Sequence, residues 1–106
     1  MKGLLYKVKG KNFLTTKRNL ETAKCSARLA LVAMAEQGFS QYDQRITIEE
    51  INEITWDKHL VCTMFVHDEQ LFTTDPNGVI IHSQQWRTKN NFLRRAGTVR
   101  GASLRK

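Results

Sequence analysis

Two cysteines, one proline and no apolar run of bilayer-spanning length set the first limits on this chain of 106 residues. Cys25 and Cys62 stand far apart and outside any CxxC pattern, which argues against a disulfide framework and fits a reducing cytoplasm. The start, Met1-Lys2-Gly3-Leu4-Leu5-Tyr6-Lys7, carries basic residues but lacks the apolar stretch of a secretory signal. No segment is apolar for long enough to span a membrane, so the expectation is a soluble, intracellular protein with no membrane partner. Chemistry is short of raw material as well. No Gly-rich phosphate loop precedes a helix, and no nucleophile or paired acid and base stands out, which makes an enzyme the weakest reading.

Acidic residues are missing from the whole stretch after Asp75. Residues 1–28 hold eight Lys or Arg against Glu21 alone, residues 29–75 hold nine acids against Arg45 and Lys58, and the remainder holds seven bases. The chain is therefore basic, then acidic, then basic, with a formal net charge of +7 and a pI near 9.8. Such a balance points to an anionic partner and says nothing of fold. One domain of this length can bury a modest core without disulfides or metal.

The only proline sits in Asp75-Pro76-Asn77-Gly78, a turn signal flanked by Leu71-Phe72 and by Val79-Ile80-Ile81, and it predicts a β-hairpin whose return strand runs to Trp86. Upstream, residues 3–9 alternate weakly and suit a short edge strand stopped by Gly10. Thr15 or Thr16 offers an N-cap for a helix whose apolar positions Leu20, Ala23, Ala27, Leu31 and Met34 step by three or four until Gly38. Glu21, Lys24 and Arg28 fall on its outer face, where charge pairs are ordinarily just solvated. Thr47 and Glu50 read as a capping box, with Ile46 and Ile51 as its staple, for a short helix to Thr55 or Trp56. Residues 57–70 suit either a buried strand or a buried helix; the order of elements favours a helix. Trp56 and Trp86 read as core anchors, with base stacking by Trp86 as the alternative.

A long helix, a capped short helix, a third helix and a hairpin are the plan of a winged helix-turn-helix. On those features residues 46–105 resemble the N-terminal winged-helix domain of phage replisome organisers and related prophage replication proteins. The likeness rests on Thr47-Ile48-Glu49-Glu50-Ile51, a third helix closing on Leu71-Phe72, a wing with Asn77-Gly78-Val79-Ile80, Trp86 at its end, and the run from Arg94 to Lys106 rich in Arg, Ala and Gly. It implies an α+β fold of three helices and a C-terminal wing over residues 1–86, a basic, partly flexible tail over 87–106, and DNA binding in replication initiation or transcriptional control within a bacterial host cell.

The expected interface has two parts. Lys58, His59, Thr63 and His67 would lie on the outward side of the third helix, within reach of base edges or phosphates. Arg87, Lys89, Arg94, Arg95, Arg100, Arg105 and Lys106 would grip the phosphates of double-stranded DNA. The acids Glu49, Glu50, Glu53, Asp57, Asp68 and Glu69 work against this. Either DNA is held mainly by the wing, tail and N-terminal bases, or the acidic middle docks a protein or another copy of the chain. The alternative function is thus a small phage inhibitor or adaptor gripping a host protein through acidic helices or the hairpin. His59, Cys62 and His67 are metal-ligand types without a fourth partner, so neither metal nor cofactor is expected.

Overall fold

The computed structural model describes residues 3–86. In chain order it forms β1 (Leu4–Gly10), β2 (Phe13–Lys17), α1 (Leu20–Glu36), β3 (Arg45–Asn52), β4 (Lys58–His67), β5 (Gln70–Thr74) and β6 (Ile80–Gln85). The strands make one sheet in the order β2-β1-β3-β4-β5-β6, antiparallel throughout. Both β2 and β3 oppose β1, which lies between them. They are therefore parallel to each other, and α1 is the crossover that joins them.

This overturns the winged helix-turn-helix. Among the described residues α1 is the only helix, and the two expected downstream helices are the central strands β3 and β4. The physical reason is in the alternation. Ile46 and Ile48 are fully buried two residues apart, as a strand requires, while Thr47 points the other way and donates from Oγ1 to the Lys9 carbonyl. Ile46, Thr47, Ile48 and Ile51 are all β-branched, and a two-turn helix has little stability of its own to set against a ladder on each side. The capping-box pattern at Thr47 and Glu50 is coincidental. In β4, Cys62, Met64 and Val66 are buried at the same period of two. The choice left open for residues 57–70 resolves as a strand, a tight turn and the start of β5.

That turn explains why β4 was ambiguous between strand and helix. Asp68 and Glu69 both take positive φ, 51° and 62°, the geometry of a two-residue hairpin that Asn-Gly would ordinarily announce. The loop before β4 is similarly unadvertised: the Asn52 side chain accepts from Ile54 N and Thr55 N, and Trp56 sits at φ 64°. Trp56 is 70% exposed and anchors no core, whereas Trp86 is buried in it.

Other expectations hold. β1 forms where the edge strand was expected, although β2 covers it and becomes the edge itself. The β5–β6 hairpin forms around Asp75, whose Oδ1 accepts from Asn77 N and Val79 N at 2.9 Å each, with Gly78 at φ 86°. In α1, Ala23, Ala27, Leu31 and Met34 are buried as their spacing predicts, joined by Ala30. The start lies later than Thr15 or Thr16, which belong to β2. Asn19 caps instead, its side chain accepting from Glu21 N at 2.8 Å and Thr22 N at 3.1 Å. The helix stops at Glu36 and Gly38 turns the chain at φ 82°.

α1 packs on β1, β2, β3 and β4 and does not reach β5 or β6. Beneath it Val8, Ile48 and Cys62 lie in one cross-strand row and Gly10, Ile46 and Met64 in the next. Each large side chain removed from water there contributes roughly 1.5–3 kcal/mol. The opposite face of the sheet carries no helix among the described residues.

Candidate nucleic-acid interface

The face away from α1 is built by the residues that alternate with the core set. One row crosses Arg45, Phe65, Phe72 and Ser83 from β3 to β6. Phe65 and Phe72 stack with centroids 5.3 Å apart and planes 28° from parallel, and the guanidinium carbon of Arg45 lies 4.8 Å from the Phe65 centroid. The next row runs Leu14, Lys9, Thr47, Thr63 and Thr74, and the one beyond it Thr16, Lys7, Glu49 and Leu60. Leu5 and Ile51 follow on the same face by plain alternation, and an irregularity in the β3–β4 pairing, where Ile48 opposes Cys62 but Glu49 opposes Leu60, brings Leu60 and Lys58 onto it as well.

Charge on this face is one-sided. Lys7, Lys9, Arg45 and Lys58 stand against Glu49 alone. Beside Arg45 and Lys9 a recess of about 400 Å³ is lined also by Lys11, Tyr42, Asp43 and Thr47, and Tyr42 is 81% exposed at its rim. Lys11 spends its charge on Asp43, at 3.1 Å. The arrangement is a half-buried aromatic pair, a guanidinium over one ring, lysines to one side and an exposed tyrosine at the margin.

The residues expected on a third helix are instead distributed along β4. Lys58, Thr63 and His67 alternate onto the face away from α1, and His59 turns to the helix side. They form no single reading surface. Thr63 is only 9% exposed, too enclosed for a base edge to reach. His59 Nε2 lies 3.4 Å from Glu50 Oε1, and Tyr6 donates its hydroxyl to Glu50 Oε2 at 3.0 Å. Burial, then the Glu50 hydrogen bond and its negative charge, raise the Tyr6 pKa above its ordinary 10.0. His67 lies 3.6 Å from Asp68. Cys62 faces the core on the side opposite His67, so these two cannot converge on one ion. Arg87, Lys89, Arg94, Arg95, Arg100, Arg105 and Lys106 lie outside the described residues. No described helix is long and apolar enough to cross a membrane.

Arg45, Phe65 and Phe72 were not picked out from the sequence. Their alignment becomes visible only once residues 58–67 and 70–74 are read as strands joined by a two-residue turn, because that register sets Phe65 opposite Phe72. Compared with known protein families, curated proteins and solved structures, the chain matches none.

Proposed function

We propose that the protein binds single-stranded nucleic acid across the uncovered face of its sheet. The observation that carries this reading is the Arg45, Phe65 and Phe72 row with Lys9, Lys7 and Lys58 on successive rows to one side of it. Flat aromatic surface accepts unpaired bases whatever their identity, and the surrounding cations attract the backbone. Residues 87–106 add seven Lys or Arg and no acid, so the sequence supplies further phosphate-neutralising charge directly after β6. An unpaired strand suits this surface better than a duplex, since bases stacked within a helix offer no face to Phe65 or Phe72.

Fluorescence anisotropy with labelled oligonucleotides, single-stranded and duplex, over a salt series tests it. Binding should favour the single strand and weaken with salt. Replacing Arg94, Arg95 and Arg100 by Ala should flatten the log–log salt slope by about 0.7 per residue. Phe65→Ala or Phe72→Ala should weaken binding roughly tenfold with little change in that slope. A preference for duplex, or affinity indifferent to both phenylalanines, would sink the proposal.

A further inference from the structure

On the other side of the sheet the helix stops short, and two features meet there. Among the described residues β6 is the terminal strand, pairs only with β5, and is exposed along its whole length. It carries no charged residue and no proline, and no helix covers it among the described residues; the one device that blunts an edge strand is the irregularity at Ile81, near its start, which leaves the stretch from His82 to Gln85 regularly paired with β5 on one side and open on the other. Val79, Ile80 and Ile81 are 57%, 54% and 60% exposed. Alongside, a groove of about 310 Å³ opens between α1 and the hairpin, with Lys24 and Arg28 on one wall, Met64, Leu71 and Thr73 in its floor, and His82 and Gln84 on the other wall. Glu21 stands at its rim. Lys24 and Arg28 enter no ion pair among the described residues.

We propose that β6 is a docking edge for an extended acidic segment of another protein, which adds as a seventh strand and turns carboxylates toward Lys24 and Arg28. An unpaired edge offers alternating N–H and C=O groups, which only another polypeptide can match in register. Alternation then sends every second side chain of the incoming strand to the helix side, over the groove, and the others to the side of Ile80. The favoured sequence alternates acidic with apolar residues.

Charge complementarity excludes the nearer candidates. The residues that follow Trp86 contain seven bases and no acid, so they would bring like charge to Lys24 and Arg28. Among the described residues a second copy of the chain offers β2 and β6 as sheet edges, and neither contains Asp or Glu. The site lies on the opposite face from the aromatic row and stands independently of nucleic-acid binding.

The test uses the full chain and a synthetic peptide of about ten residues alternating Glu and Val, followed by hydrogen exchange at the β6 amides and by calorimetry. The peptide should slow exchange along β6 selectively. Its counterpart with Lys for Glu should bind at least tenfold more weakly, and Lys24→Glu with Arg28→Glu should invert that preference, a swap that loss of fold cannot imitate. A version N-methylated on alternate residues along one edge should lose binding. Equal binding by the N-methylated peptide would mean charge adhesion without strand addition and would overturn the proposal. So would no peptide binding, indifference to the charge swap, displacement of the peptide by an oligonucleotide, or β6 amides already protected in the free protein by its own tail or a second copy.

Discussion

Arg45 rests its guanidinium over Phe65, 4.8 Å from the ring centroid, from the strand next door. Because Phe65 also stacks on Phe72, the three side chains tie β3, β4 and β5 together on the face the helix leaves open. Aromatic pairing contributes about 0.5–1.5 kcal/mol beyond area, and an exposed cation over a ring about 0.5–1 kcal/mol. We expect a double-mutant cycle of Phe65→Leu and Phe72→Leu, read by urea unfolding, to show coupling in the first range. Arg45→Ala should cost no more than the second. Additivity of the two Phe substitutions would mean the rings adjoin without interacting.

Gly10 closes β1 between Met34 of the helix and Ile46 of β3. A Cβ there would run into Ile46 Cδ1, lie 2.9 Å from Met34 Cε and meet the Arg45 carbonyl at 3.0 Å. Gly10→Ala should therefore destabilise by about 1–3 kcal/mol through overpacking. Ile46→Val removes the Cδ1 atom that clashes and by itself should cost about 0.5–1.5 kcal/mol. The double substitution should be less damaging than the sum of the two singles, as measured by chemical denaturation. Strict additivity would show that the backbone, and not Ile46, resists the methyl group.

Asn19 holds the first turn of α1 by accepting two backbone N–H groups, so Asn19→Ala should lower stability by about 1 kcal/mol and the melting temperature by about 4–8 °C. Thr16→Ala, in the edge strand and exposed, should change little. A larger loss at Thr16 than at Asn19 would move the helix start back to where the sequence first suggested it.

The contrast between Asn19 and Thr16 shows what the chain discloses and what it conceals. The face of α1 was legible because five apolar positions repeat at helical spacing, and the β5–β6 hairpin because Asp75, Pro76 and Gly78 have few other uses. β3 was misread because Thr47 and Glu50 satisfy a local capping pattern, and only the strands on both sides, with Ile46 and Ile48 under α1, decide against it. β4 was ambiguous because the turn after it places Asp68 and Glu69 in left-handed conformations that neither residue advertises. The aromatic row depends on that turn, so it was lost with it. The charge distribution was plain from the start. Among residues 3–86, nine bases face ten acids, and what separates them into useful surfaces is the two sides of the sheet, which no linear pattern reveals.

Alkaline pH should loosen this fold by a defined route. Burial raises the Cys62 thiol above its ordinary 9.0, opposed only in part by the charge of Lys24, and Tyr6 is raised above 10.0 chiefly by burial and then by Glu50. In both cases the folded protein holds its proton more tightly than the unfolded chain. The stabilisation associated with each protonated group is thus fully present below its unfolded pKa and is lost as pH climbs through the raised folded value. Urea unfolding from about pH 7 to about pH 11 should show stability declining from near pH 9, and declining more steeply above 10. Cys62→Ala, though less stable at neutral pH for the lost packing, should remove the first part of that decline. Tyr6→Phe should flatten the second. If both variants lose stability with pH in parallel with the parent chain, deprotonation of these two groups is not what weakens the fold.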